Sequence, residues 1–138
     1  MKGWAVSAID AIPKVPEGEA GDPEWHPLQH FLGLRTFGAN VFVGVRGDET
    51  LVAEHDERAS GQQELYVVID GAAEFTLSGD RVHAVRGTAL AVTDPSVVRS
   101  AVAVAPGTAL LVVGASDGPF STTWDASHFA QVPRGDTG

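Results

Sequence analysis

The sequence contains no cysteine, which excludes a disulfide framework and any thiolate-based metal site. It is also poor in positive charge: Lys plus Arg number 9 against 18 Asp plus Glu, a formal net charge of −9. That balance repels phosphate backbones, and no basic stripe interrupts it, so nucleic acid is not an expected partner. Anionic membrane surfaces are disfavoured for the same reason. No apolar run approaches the roughly 20 residues that cross a bilayer. Residues 1–10 hold no long apolar stretch behind a basic lead, so no signal peptide is expected. Together these absences predict a cytoplasmic protein with no membrane contact. Internal repeats, a Gly-rich phosphate loop and a nucleophile elbow are lacking as well; Ser60-Gly61 reads as a plain loop.

A length of 138 residues suits one domain with a real core. Residues 3–9 are mildly apolar and predict a short strand. Pro13, Pro16, Gly18, Gly21 and Pro23 then punctuate an extended arm. Residues 25–34 predict a turn or two of helix ending near Gly33. From Thr36 the pattern becomes β, with strands expected over residues 36–45, 49–55, 64–69, 73–77, 82–85, 88–92, 97–104 and 108–113. The run Glu64-Leu-Tyr-Val-Val-Ile69 is the clearest, rich in β-branched and aromatic residues. Asp70-Gly71 reads as a tight hairpin with positive φ. Ser78-Gly79-Asp80, Asp94-Pro95 and Pro106-Gly107 read as further turns. Turns recur every few residues with no helix between them, which is the signature of a sandwich or barrel. Residues 1–35 are assigned to an N-terminal arm packing on the barrel, 36–115 to the barrel and 116–138 to a tail in which Phe120, Trp124 and Phe129 dock on the wall.

The run GQQELYVVIDGAAEFTLSGD with the following VHAVRGTALAVTDPSVVRSAVAV resembles the cupin superfamily. The resemblance covers about half of the chain. It implies an all-β fold, the double-stranded β-helix or jelly-roll barrel, here with an extended N-terminal arm and a short helical segment. Glu64 precedes Gly71 by seven residues, as the family's glutamate does, and Gly87 and Asp94-Pro95 match the start of its second motif. The metal-binding histidines of the family are mostly replaced. His55 and Glu57 stand as an H-x-E version of its paired histidines, and period-2 geometry puts them on one strand face. Arg99 stands where the third histidine falls, with Ser100 there if the register slips by one.

Arginine donates no lone pair and stays charged. Beside two buried carboxylates it supplies the positive charge that a metal otherwise brings. We therefore expect an internal Arg–Glu pair and no tightly bound cofactor; should a divalent metal (Mn, Fe, Ni or Zn) bind, its ligands would be His55, Glu57 and Glu64. The expected ligand-binding set is His55, Glu57, Glu64, Tyr66 and Arg99, with Arg99 as an anion partner. Catalytic candidates are His55 as base with Glu64 or Tyr66 as acid. Asn40, Phe42, Trp25 and Phe37 are expected elsewhere in the lining. His26 and His30, four apart, suit a helical cap better than a zinc pair, since Pro27 lies between them. His83 and His128 are expected on the surface. A small-molecule binder, an isomerase- or epimerase-type enzyme, a metal-dependent dioxygenase-like enzyme and a dimerisation module all remain open, with a homodimer expected because apolar strand edges need covering.

Overall fold

A computed structural model describes residues 2–16, 18–116, 118, 126–131 and 133–135. Among the described residues, nine strands form two antiparallel sheets. They are β1 (Glu24–His26), β2 (Gly38–Gly44), β3 (Thr50–His55), β4 (Gln62–Asp70), β5 (Ala72–Leu77), β6 (Asp80–Val85), β7 (Ala89–Val92), β8 (Arg99–Ala103) and β9 (Thr108–Ser116). One sheet has the order β1-β2-β9-β4-β7 and the other β3-β8-β5-β6. The interleaved order is that of a jelly roll, as expected.

Alternation decides what faces inward. On β4 the side chains of Glu64, Tyr66 and Val68 point between the sheets, while Leu65 and Ile69 point out. On β8, Arg99, Ala101 and Ala103 are buried and Ser100 is not fully so. The inward residues of the second sheet are largely alanine: Ala73, Ala84, Ala101 and Ala103 are almost inaccessible. These small side chains make room for Tyr66 and Phe75, whose rings meet edge-to-face with centroids 5.4 Å apart.

Three expected elements differ from those observed. Residues 3–9 form no strand, because no neighbouring strand pairs with them; Val6 is 81% exposed and the chain turns once as a 3-10 helix at Ile9–Ala11. Trp25 and His26 belong to β1, an edge strand on β2, so the arm contributes to the barrel before residue 36. Pro27 separates that strand from the one α-helix among the described residues, α1 (Leu28–Leu32), which stops at Gly33 in the left-handed region. The third is Asp70-Gly71, which is no hairpin. β4 pairs with β7 and β9, and β5 pairs with β6 and β8. Gly71, at φ 71°, is the corner at which the chain leaves one sheet for the other. A Cβ there would collide with Thr108, whose buried hydroxyl lies 2.7 Å from the Ala105 carbonyl and accepts the Ala72 N–H at 3.2 Å. Ser78-Gly79 does close a hairpin, with both residues at positive φ and Leu77 opposite Asp80. In the tail, Phe129 is exposed, while Phe120, Trp124 and the His128 side chain lie outside the described residues.

The turn ahead of β3 is built on a buried carboxylate. Glu49 accepts the backbone N–H of Arg46 at 2.9 Å, of Gly47 at 2.8 Å and of Asp48 at 2.9 Å. Burial alone would push its carboxyl up; the backbone donors outweigh burial and bring it from 4.5 down to about 2. A depressed folded-state value means that ionised Glu49 stabilises the fold above the unfolded value and that this contribution fades as pH falls toward about 2. Glu49→Gln is therefore expected to lower the urea midpoint at neutral pH, and the gap from the parent protein should close progressively below pH 4.5. A gap independent of pH would show that the turn needs only the shape of the side chain.

Candidate functional site

The polar end of the barrel comes from three strands. Glu64 and Tyr66 project inward from β4 in the first sheet. Arg99 projects from β8 in the second, opposite His55 on β3 in register. β3 is irregular, with register shifts on either side of Val52. These bulges bury Leu51 and Val52 in succession and carry His55 to the site at the strand's end. Glu57 follows in a loop fixed by its own N–H to the Pro95 carbonyl and its carbonyl to the Gly61 N–H.

Arg99 is the largest wholly buried side chain among the described residues. Its Nη1 donates to Glu64 Oε1 at 3.2 Å and its Nη2 to the Asp94 carbonyl at 3.5 Å, while Nε has no partner. Glu64 Oε1 also accepts the Tyr66 hydroxyl at 2.6 Å. Burial first, then the hydrogen bond to Glu64 and its negative charge, hold the Tyr66 phenol well above the usual phenol range. His55 is gripped through both ring nitrogens. Nδ1 lies 2.7 Å from the Ala53 carbonyl and Nε2 3.0 Å from Glu57 Oε1, with Glu64 Oε1 3.7 Å away. A neutral imidazole donates only once. With Nδ1 donating to Ala53, Nε2 either carries a second proton toward Glu57 or offers its lone pair to a cation shared by the three side chains. The donor atoms of His55, Glu57 and Glu64 lie within 4.8 Å of one another, close enough for one ion. The other carboxylate oxygen of Glu57 accepts the Ser60 hydroxyl.

A cavity of about 510 Å³ opens onto this cluster. Phe42, Leu51, Val52 and Val112 give it an apolar wall, and Asn40, Thr50, His55, Glu64 and Tyr66 give it polar points. The exposed Asp22 stands at its rim.

Five residues singled out from sequence, His55, Glu57, Glu64, Tyr66 and Arg99, are thus close together, with Arg99 and not Ser100 pointing inward. They are not equivalent. Arg99 is fully buried and is not part of the cavity wall; it meets Glu64, which is. Its pairing is with Glu64 alone, not with Glu57. Of the residues guessed for the lining, Asn40 and Phe42 are there. Trp25 instead packs its ring at a tilt against Phe42, centroids 5.9 Å apart, and donates its indole N–H to Asn40 Oδ1 at 2.8 Å; Phe37 is exposed and apart. His26 sits buried on β1 beside the Ile12 carbonyl and His30 is exposed on α1, so the two form no pair on one helix. His83 faces outward toward Glu74 at 3.1 Å. Asp22 and Ser60 were not anticipated. Both lie in irregular segments whose sequence carries no periodicity, so no facing rule reaches them.

No protein-family model matches the sequence, and no curated relative does. Solved structures do match. A cupin protein from Bacteroides fragilis superposes with a TM-score of 0.64 at 18% identity, over 90% of this chain and 93% of its own. A sugar phosphate isomerase of the cupin superfamily from Silicibacter pomeroyi superposes with a TM-score of 0.65 at 18% identity, over 82% and 76%. KdgF from a Halomonas species gives 0.59 at 19% identity, over 75% and 86%. At these identities the likeness is one of fold.

Removing one partner of a buried ion pair strands the other. Arg99→Met is expected to cost about 3 kcal/mol or more in urea unfolding, and Glu64→Gln in the Arg99→Met background should recover part of it. Strict additivity of the two substitutions would mean that the pair is not energetically coupled.

Proposed function

Starting from a barrel of the cupin fold, we propose that this chain binds a small organic molecule between its two sheets and holds it against Glu64, Tyr66 and His55 without a tightly bound transition metal. The convergence of these three side chains at one end of an otherwise mostly apolar cavity carries the reading. Such a cavity, a few polar groups in an apolar wall, has the composition of a small-molecule site.

The roles follow from where each proton is held. Glu64 is fixed in orientation by two donors on one oxygen. Tyr66 commits its proton to Glu64 and turns only an oxygen lone pair to a ligand, which removes it from the candidate acids. His55 is oriented by Ala53, leaving Nε2, backed by Glu57, as the atom able to exchange a proton. This arrangement also supports an acid–base enzyme acting on a small metabolite, and one neighbour of the same fold is called a sugar phosphate isomerase. Binding is the broader reading because it requires only the cavity and its polar points.

A second reading has support in the His55, Glu57 and Glu64 cluster. One imidazole with two carboxylates suits an oxygen-preferring divalent ion such as Mn more than a softer metal. Against tight binding stands Arg99, whose guanidinium lies 3.2 Å from one of the three donor atoms and opposes a further positive charge. The set therefore fits a weakly held hard ion, one that would polarise a ligand oxygen when bound.

Elemental analysis of protein purified without chelator is expected to find transition metal far below one atom per chain. Arg99→His, which restores an imidazole at the inward position, should raise that occupancy. Near-stoichiometric Mn, Fe, Ni or Zn in the parent protein, lost in His55→Ala, would replace the first reading with the second.

A further inference from the structure

Charge around the cavity restricts its ligand further. We infer that it selects an organic ammonium ion with an apolar body and rejects carboxylates and phosphate esters; this inference rests on the reading that the cavity binds a small molecule. The acidic side chains in its wall are Asp22 and Glu64, and no Lys or Arg lines it among the described residues. Glu57 adds a third carboxylate, 3.0 Å behind His55. Arg99 is fully buried, with Glu64 between it and the cavity, and the Nε2 of His55 is turned to Glu57 rather than to the cavity. An entering anion thus meets Asp22 and Glu64 in the wall, with Glu57 behind His55, while the guanidinium of Arg99 is shielded and the outer ring nitrogen of His55 is engaged by Glu57. No ion pair involves Asp22 among the described residues, and its Oδ2 accepts only the Glu19 N–H at 2.9 Å.

Hydrogen-bonding capacity points the same way. Tyr66 has spent its proton on Glu64 and presents an acceptor. Glu64 is acceptor-only, and His55 Nε2 is turned to Glu57. Asn40 has its carbonyl oxygen engaged by Trp25, which leaves its amide NH₂ as a donor two strands away in the same sheet. Beside His55, then, Glu64 and Tyr66 present oxygens that await a donor. A primary ammonium brings three donors and a positive charge, and the apolar wall of Phe42, Leu51 and Val112 accommodates the rest of such a molecule.

The test uses the full chain, treated with chelator and held at low ionic strength, where exposed charges act most strongly. Four probes share a phenyl body: phenethylamine, 2-phenylethanol, 3-phenylpropionate and phenyl phosphate. Calorimetric titration should show the amine binding at least about tenfold more tightly than the alcohol, with no measurable binding of the two anions. Glu64→Gln should abolish that preference. Should that variant not fold, Asp22→Asn, at an exposed position, should reduce it. Equal binding of amine and alcohol, or tighter binding of either anion, would overturn the charge selection and leave the binding reading standing. Failure of all four probes to bind would overturn both.

Discussion

A single carboxylate oxygen joins the two sheets at the polar end of the barrel. Glu64 Oε1, from the first sheet, accepts hydrogen bonds from Tyr66 on its own strand and from Arg99 on the second sheet. Buried charges survive only when paired and hydrogen-bonded. Arg99 is wholly inaccessible, so the position of β8 against β4 is held to whatever geometry keeps that contact. His55 faces Arg99 in register and reaches the same oxygen from the side. The candidate site is in this sense one electrostatic arrangement rather than a collection of residues on a neutral scaffold.

The rest of the barrel divides sharply. Toward Gly71 and Thr108 it is packed shut, with alanines on one sheet opposing Tyr66, Val68 and Leu110 on the other. Toward Asn40, Thr50 and His55 it is open. Side-chain volume produces this asymmetry. The second sheet could not carry larger residues at Ala73, Ala101 or Ala103 without expelling Phe75 or Tyr66, because interiors are already close-packed. The bulges of β3 do the opposite at the other end, drawing the strand out of regular pairing and opening a cavity beside it.

The strands and the inward set on β4 were legible in the sequence because period-2 alternation is a local property. Glu64, Tyr66 and Val68 share a face whatever the fold. Arg99 pointing inward followed from the family's motif spacing. Its depth did not, since burial depends on a partner from the other sheet. Partnership was likewise hidden at Asp70-Gly71, where a dipeptide typical of hairpins turns a corner between sheets instead; only the pairing of β4 with β9 reveals the difference. Trp25 and His26 carry a helical expectation yet lie in a strand, because an edge strand of three residues is defined by the neighbour it borrows, not by its own pattern. Asp22 escaped notice for a related reason, since it lies in a segment with no period at all.

Arg99 occupies its place through the chain itself. A bound ion reaches equilibrium with its surroundings: it can be chelated, exchanged for a competitor or changed in oxidation state. A guanidinium carried on β8 can do none of these, and it arrives in fixed stoichiometry with every folded molecule. The positive charge beside Glu64 is therefore indifferent to the supply of minerals around the protein and to redox conditions, and its presence depends on folding alone.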